Sequence, residues 1–210
     1  MLINQVIDMA RGGELSNLSE DSITDAKVLG YINLGLIELH KRFALRTDEA
    51  IITMSVGGAS SDTLYRVDTT DTRVQMSAEY DILTIQEAYD EEGSRLRLNV
   101  EDDDLGIMTP SFDTVQIPNP SDGERIAIVY TTGPKYVTAV TDRLAAPISL
   151  LEALLHYVGY RAHGSIDGAL AAENNSHYQR FEASIKNAIT LGLVAPDNIA
   201  ARDVSKKGFI

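Results

Sequence analysis

The sequence predicts an α+β protein whose terminal helices form a four-helix bundle, with an inserted antiparallel β lobe and an extended C-terminal tail. Apolar residues recur at helical spacing near both ends of the chain, whereas the middle consists of short alternating runs separated by Gly, Asp and Pro. The last stretch, "APDNIAARDVSKKGFI", has no sustained period. The predicted divisions are a helical domain of residues 1–48 and 142–193, a β-rich insert of residues 49–141, and a tail of residues 194–210.

The first two helices are predicted from apolar spacing and from their end signals. Apolar residues keep a helical period over residues 2–10, and the glycine pair Gly12-Gly13 ends that segment. The second helix begins after a capping residue, either Ser22 or Thr24. Its apolar residues step by three or four and mark one buried face: Val28, Ile32, Leu36, Leu39 and Phe43.

The middle of the chain predicts strands. The run "SRLRLNV" alternates apolar and polar residues, and it meets "YDILTIQEAYD" across a hairpin loop at residues 91–93. Four further runs, "AIITMSV", "TLYRVD", "TVQIP" and "ERIAIVYTT", have the same texture. Because proline cannot donate to a β ladder, its expected place is between the strands, and this is expected of Pro110, Pro118, Pro120 and Pro134.

Two more helices are predicted after Pro147, separated by a break at Gly164-Ser165. The stripe of the third helix is Ile148, Leu151, Leu154, Leu155, Val158 and Ala162. The stripe of the fourth is Ile166, Leu170, Tyr178, Phe181, Ile185, Ala188 and Ile189, and the helix ends near Gly192.

Composition excludes several classes of protein. A net charge of −13 disfavours a general nucleic-acid-binding surface, which needs clustered Lys and Arg. The chain has no cysteine, so neither a disulfide framework nor a thiolate metal site is expected. No apolar run is long enough to cross a membrane, and the N-terminus lacks the basic region of a signal peptide.

The histidines are candidate metal ligands by residue type, but their spacing does not favour a metal site. His156 and His163 share a helix face but lie about 10 Å apart along the axis, which is too far for a helical ligand pair. Glu152, four residues before His156, could form a ligand couple with it. A helix-surface or interface position is the simpler expectation for His156, and His40 and His177 stand in no motif. The sequence therefore predicts no metal site.

No other pattern predicts catalysis. The acidic run at residues 101–104 lacks the alternating spacing of a calcium loop. The glycine pairs lack the lysine of a phosphate loop, and no serine stands in a nucleophile elbow. The sequence predicts no enzyme and no cofactor. A metal-dependent hydrolase using His156, Glu152 and the acidic run is the remaining catalytic alternative.

Tyrosines on the predicted helices indicate contact surfaces. Tyr31, Tyr157 and Tyr160 are of a residue type enriched at protein interfaces. Tyr157 and Tyr160 lie off the main apolar stripe, so the third helix is expected to be covered on more than one side. This pattern favours an oligomer.

Two stretches in order resemble tailed-bacteriophage head-to-tail adaptor proteins. "DSITDAKVLGYINLGLIELHKRF" is similar to a segment near the start of that family, through Thr24, Asp25, Leu29, Tyr31, Ile32, Asn33 and Gly35. "DRLAAPISLLEALLHYVGYRAHGSID" is similar to a later one, through Pro147, Leu151, Leu154, Tyr157, Val158, Tyr160, Arg161 and Ala162. "HYQRFEASI" resembles the family's final helix.

The resemblance implies a structural virion protein of the neck, made in the host cytoplasm. Such adaptors form a ring, usually of twelve copies, beneath the portal protein. They retain packaged DNA without sequence-specific binding, do not enter a membrane, and hold the tail or nozzle protein below. The resemblance also implies that subunits contact one another through helices. The candidate contact residues are Tyr31, Tyr157, Tyr160 and Arg161. It also implies a docking tail, here ending in Lys206, Lys207, Phe209 and Ile210.

The alternative from a different class is a soluble helical binding or regulatory module with no role in a virion. That reading requires only the amphipathic helices, and it predicts a monomer or dimer that binds a small ligand or a peptide. It would be absent from purified particles, whereas a neck adaptor would be present in them. The position of the gene just downstream of portal and capsid genes would favour the adaptor.

Overall fold

A computed structural model describes residues 1–54, 64–68, 74–76, 82–100, 106–111, 114–118, 121–165 and 171–194. The chain forms two compact units, one of Met1–Leu45 with Pro134–Ile210 and one of Arg46–Gly133. The first contains the helices and the second contains the strands. The predicted α+β class is therefore confirmed.

In the part of the helical unit that the structure describes there are four helices, α1 (Ile3–Gly12), α2 (Asp25–Arg42), α3 (Leu151–Gly164) and α4 (Ala171–Thr190), and a 3₁₀ turn, Ile148–Leu150, that precedes α3. All four helices contribute to one hydrophobic core. Its fully buried members from the predicted α2 stripe are Val28, Ile32, Leu36, Leu39 and Phe43. Each such side chain contributes about 1.5–3 kcal/mol to the free energy of unfolding.

Helix α1 begins without a side-chain cap because the backbone of a distant segment satisfies its first N–H groups. Ile3 donates to the carbonyl of Asp142 at 3.0 Å, and Asn4 donates to the carbonyl of Val140 at 2.9 Å. The first N–H groups of a helix have no hydrogen-bond partner within the helix, so they need partners elsewhere when water does not reach them. The start of the chain is thereby tied to the segment that enters the second half of the helical unit.

Helix α2 begins as its sequence predicts. Of the two candidate caps, Thr24 is the one used: its side chain accepts a hydrogen bond from the Lys27 amide at 3.4 Å. Asp25 in the first turn lies 2.6 Å from the guanidinium of Arg11 on α1. A carboxylate at this position is also favoured by the helix dipole.

Two positions of α2 make contacts that depend on the residue type found there. Asn33 forms a reciprocal pair with the backbone of Val137, donating to its carbonyl at 2.9 Å and accepting from its amide at 2.8 Å. At Gly35, a Cβ atom would lie 2.5 Å from Leu154 Cδ1 and 3.2 Å from Tyr157 Cδ1 of α3. The missing side chain therefore lets α2 and α3 approach closely.

The described residues of the β unit form eight strands: β1 (Thr47–Thr53), β2 (Leu64–Asp68), β3 (Val74–Met76), β4 (Ile82–Tyr89), β5 (Arg95–Leu96), β6 (Met108–Ser111), β7 (Thr114–Pro118) and β8 (Arg125–Thr132). Five form a sheet in the order β3-β1-β8-β4-β5, and three form a second sheet in the order β2-β7-β6. All the strand pairs are antiparallel. One apolar cluster includes side chains from both sheets.

The predicted hairpin at residues 91–93 is confirmed. Tyr89 pairs with Arg95 and Ala88 pairs with Leu96 across it, and Gly93 adopts a positive φ of 78° that suits glycine. Strand β5 is shorter than the alternating run suggested. Its continuation is broken at Asn99, which has a φ of 55° and accepts the Thr109 amide on its side chain at 2.8 Å.

The strands differ from the sequence prediction in two ways. Strands β3 and β6 belong to no predicted run, since three or four residues are too few to show an alternating pattern. Pro110 lies inside β6, and Pro118 is the last residue of β7. Strand β6 is at the edge of its sheet, where a residue without an N–H is tolerated. Within the described ranges, no helix has the length and apolarity needed to span a membrane.

Replacing Gly35 by Ala is expected to destabilise the helical unit by up to about 2 kcal/mol, because overpacking of the contact with α3 costs about 1–3 kcal/mol and the higher helix propensity of Ala offsets up to about 1 kcal/mol of it. Gly30 on the same helix is the matched control. It is exposed and a Cβ there would have no neighbour within 4 Å, so Gly30→Ala is expected to stabilise by up to about 1 kcal/mol. Urea unfolding followed by circular dichroism measures both. Equal effects of the two substitutions would contradict the close approach at Gly35.

Candidate functional site

Helices α3 and α4 carry a cluster of four aromatic residues, hereafter the aromatic cluster: Tyr157, Tyr160, Tyr178 and Phe181. Tyr157 meets Phe181 with ring centroids 5.2 Å apart, and Tyr160 meets Tyr178 at 5.1 Å. The later residue of α3, Tyr160, contacts the earlier residue of α4, Tyr178, so the two helices are antiparallel. Tilted and edge-on pairs at these distances are favourable for aromatic rings.

Arg42, the last residue of α2, joins this cluster to a carboxylate. Its guanidinium lies 4.8 Å from the centre of the Phe181 ring. It also binds Glu182 through two nitrogens, at 2.9 and 2.7 Å, and Glu38 at 2.9 Å. These hydrogen bonds to Arg42 hold the pKa of Glu182 below its ordinary value and raise the pKa of Arg42. The fork geometry fixes the end of α2 against α4.

The predicted interface residues are placed at three positions of the helical unit. Tyr157 and Tyr160 are half-buried in the aromatic cluster, and burial raises the pKa of Tyr157. Tyr31 is also half-buried and donates its hydroxyl to Ser165 Oγ at 2.9 Å. Arg161 is exposed. The predicted docking residues Lys206, Lys207, Phe209 and Ile210 lie outside the described residues.

A second group of side chains, hereafter the histidine cluster, consists of Glu14, His156, His163 and His177. One carboxylate oxygen of Glu14 lies 3.1 Å from His156 Nδ1, and the other lies 2.7 Å from His177 Nδ1. The rings of His163 and His177 are stacked with centroids 4.7 Å apart. His163 Nε2 lies 3.0 Å from the backbone carbonyl of Glu14. Three separate segments thus meet at one point.

The three histidines of the cluster are buried, so of the two positions expected for His156, a helix surface or an interface, the helix surface is wrong. His156 and His177 are 9% exposed, and His163 is 1% exposed. Tyr178, which the apolar pattern of α4 placed in the core, is 38% exposed. The buried face of α4 is instead His177, Phe181, Ile185 and Ala188. Their spacing is as helical as that of the predicted stripe, so counting His177 as a core residue would have found this face.

The environment of His177 favours its neutral form. Burial is the main cause of a lowered pKa, and the neighbouring His163, Arg180 and His156 lower it further. The carboxylate of Glu14 opposes these effects. An imidazole that is neutral at neutral pH has a lone pair available to a ligand.

Gly159 on α3 has no side chain, which allows Glu14 and His177 of the histidine cluster to pack against α3. A Cβ atom at this position would lie 2.9 Å from His177 Nδ1 and 3.1 Å from Glu14 Cβ. An open cleft of about 350 Å³ leads to the cluster, and Glu14, His177 and Arg180 line it. The Glu152 and His156 couple considered from the sequence is weaker, because its atoms are 3.8 Å apart and Glu152 is 73% exposed. The acidic run 101–104 lies outside the described residues.

The residues that carry the family resemblance on α2 have clear structural roles. Tyr31 binds Ser165 at the end of α3, and Ile32 is fully buried in the core. Asn33 holds the backbone of Val137, and Gly35 permits the contact with α3. Each of these roles joins the first half of the helical unit to the second half.

Comparison with known proteins agrees with this arrangement. Residues 2–202 match the SU10 adaptor protein family, so the match covers both the helical ends and the β-rich middle. A search of curated proteins found no match. The family is a structural one and not a class of enzymes. The chain therefore belongs to the SU10 adaptor protein family, and it is a bacteriophage head-to-tail adaptor of the virion neck.

Proposed function

We propose that this protein forms a ring, of twelve copies, between the portal protein and the tail or nozzle protein, where it helps to retain packaged DNA and provides the platform for tail attachment. The observation that supports this most strongly is the family match over residues 2–202. In this proposal the four helices act as a bundle that carries the subunit contacts. The segment 194–210 acts as the docking tail.

Exposed apolar residues supply a surface for neighbouring subunits. Ile148 is 74% exposed, Leu191 is 63% exposed and Leu193 is 55% exposed. Because α3 and α4 are antiparallel and the 3₁₀ turn contacts α4, these residues lie at the same end of the helix pair. Large apolar side chains grouped at one place on a surface are typical of association sites. We assign this end, the Ile148 surface, to the contact between copies in the ring.

The tyrosines and Arg161 extend the proposed contact. Tyr31, Tyr157 and Tyr160 keep part of their surface exposed after their contacts within the chain are made. Arg161 is exposed on α3, close in sequence to both Tyr157 and Tyr160. Tyr and Arg are enriched among the residues that contribute most of the binding energy at protein interfaces. A neighbouring subunit would cover what the chain itself leaves open.

The chemistry of the tail suits docking on the portal or on an adjacent subunit. Lys206 and Lys207 offer positive charge to an acidic partner, and Phe209 and Ile210 offer apolar groups to a groove. Ordering such a segment costs conformational entropy, which many simultaneous contacts around a ring offset. The net charge of −13 per chain would let DNA pass the ring without adhering to it.

The purified protein mixed with assembled portal is expected to form a second ring stacked on the portal, because the template brings subunits together at high local concentration. Negative-stain electron microscopy measures this directly, and portal alone is the control. Failure to associate with portal, even on DNA-filled particles, would contradict the proposal. Mass spectrometry of virions provides an independent check, since a soluble regulatory module would be absent from them.

Replacing Ile148 by Asp is expected to reduce ring formation on the portal at least ~10-fold, because each interface would lose an apolar contact worth about 1.5–3 kcal/mol. The fold is expected to persist, since the side chain is exposed and precedes a helix start where a carboxylate is favoured. Ile148→Val, which remains apolar, is the matched control and should assemble. Normal assembly of Ile148→Asp would remove the Ile148 surface from the ring contact.

Deleting residues 197–210 is expected to leave the helical circular dichroism unchanged and to weaken portal docking at least ~10-fold, because the proposed tail contacts are lost. The quadruple variant Lys206→Glu, Lys207→Glu, Phe209→Ala, Ile210→Ala tests the chemistry of the tail at constant length. Co-sedimentation with portal measures the affinity of each. Insoluble truncated protein would show that the tail belongs to the fold, contrary to this proposal.

A further inference from the structure

We propose that Glu14, His156 and His177 form a binding site for a divalent transition metal ion, with Zn²⁺ as the best-suited ion. This departs from the expectation of no metal drawn from the sequence. Zn²⁺ in proteins is commonly held by histidine nitrogens and a carboxylate oxygen. Ions such as Mg²⁺ and Ca²⁺ prefer sites made of oxygen atoms alone, so two imidazoles disfavour them.

The spacing of the three side chains is close to what a metal needs. Their candidate ligand atoms all lie within 4.8 Å of one another. Two of the separations, both from Glu14 oxygens to histidine Nδ1 atoms, are 3.1 and 2.7 Å. Ligand atoms about 2.0–2.2 Å from a tetrahedral zinc ion are roughly 3.3 Å apart. The contact of 2.7 Å would open by about 0.6 Å and that of 3.1 Å by about 0.2 Å to accommodate an ion, and any ligand atoms as far apart as 4.8 Å would move closer together.

The two imidazole nitrogens point to a missing partner. His156 Nδ1 and His177 Nδ1 are buried, and neither has a hydrogen-bond partner within the part of the chain that the structure describes. One Glu14 oxygen lies 3.1 Å from His156 Nδ1 and the other lies 2.7 Å from His177 Nδ1, but neither contact has the geometry of a hydrogen bond. A buried polar nitrogen without a partner costs about 1–3 kcal/mol. A cation held by both nitrogens and by the carboxylate would satisfy them at once.

The residues around the three ligands hold them in place. His163 contacts the backbone carbonyl of Glu14 and stacks on the ring of His177. Glu152 lies 3.8 Å from His156 Nε2, the nitrogen that the metal would leave free. Metal-bound histidines usually present their second nitrogen to a carboxylate or a carbonyl, which orients the ring. Gly159 provides the space in which Glu14 and His177 approach α3.

The fourth coordination position would be open to the cleft of about 350 Å³ that Glu14 and His177 line. The cleft gives an ion a path to the site and leaves room for a water molecule. Arg180 also lines it, and its positive charge would favour an anionic fourth ligand such as hydroxide or chloride. Such an ion would join the segment after α1 to both α3 and α4, so its binding energy would add to the stability of the helical unit.

The test uses the full chain with any affinity tag removed and metals stripped by chelator. Titration with ZnCl₂ against a chromophoric competitor is expected to show one Zn²⁺ bound per chain and a higher Tm for the loaded protein. Glu14→Gln and His177→Ala are each expected to weaken binding at least ~100-fold, since even partners of metal ligands contribute 10–100-fold. Glu152→Gln is expected to weaken it by ~10-fold or less.

His40→Gln is the matched control, because it removes a buried histidine of the same unit that lies outside the histidine cluster. It should bind Zn²⁺ as the unsubstituted chain does. Circular dichroism checks the fold of every variant, and Glu14→Gln preserves the side-chain shape if His177→Ala does not fold. Less than one Zn²⁺ per chain, or equal affinity in Glu14→Gln, would overturn the site.

Discussion

The structure of the helical unit depends on the contact between α2 and α3, which brings together segments from the two halves of the chain. Helix α2 buries its apolar stripe against the rest of the core, and the glycine at position 35 allows it to approach Leu154 and Tyr157. Asn33 adds two hydrogen bonds to the backbone of Val137. Because interiors are packed as densely as crystals, a contact of this kind fixes the position of everything that packs on α3. The α2 residues Asn33 and Gly35 therefore act through hydrogen bonds and packing within the helical unit.

Helix α3 carries two clusters that differ in chemistry. In the aromatic cluster, α4 contacts α3 through aromatic rings and contacts Arg42 through a bidentate ion pair. In the histidine cluster, α4 contacts its neighbours through imidazoles and one carboxylate. The ion pair of the first cluster and the imidazole–carboxylate contacts of the second are directional, whereas apolar contacts are not. The proposed metal ion would strengthen the second cluster, while the proposed ring contact lies at the Ile148 surface.

Much of this arrangement follows from local sequence. The stripe and cap of α2, the hairpin at residues 91–93 and the α+β class were predicted, because each depends on residues that are near one another in the chain. The buried face of α4 was misassigned at two residues, because Tyr178 and Ile189 are each 38% exposed. Tyr178 is apolar enough to suggest a core position, but His177 is the buried one. Hydrophobicity alone cannot decide whether a tyrosine or a neighbouring histidine is buried when a carboxylate lies close to the histidine, as Glu14 lies 2.7 Å from His177.

The sequence by itself determined the class of fold, the buried face of α2 and, through the order of its motifs, membership of the adaptor family. These features are periodic or ordered along the chain, and a period of 3.6 or 2 residues is visible without knowledge of contacts. Only the tertiary structure decided which buried faces meet. Glu14, His156 and His177 come from three separate segments, and nothing in the spacing of any one of them indicates the other two. Their meeting results from the packing of α3 on α4 and on the segment after α1, which is a property of the whole helical unit.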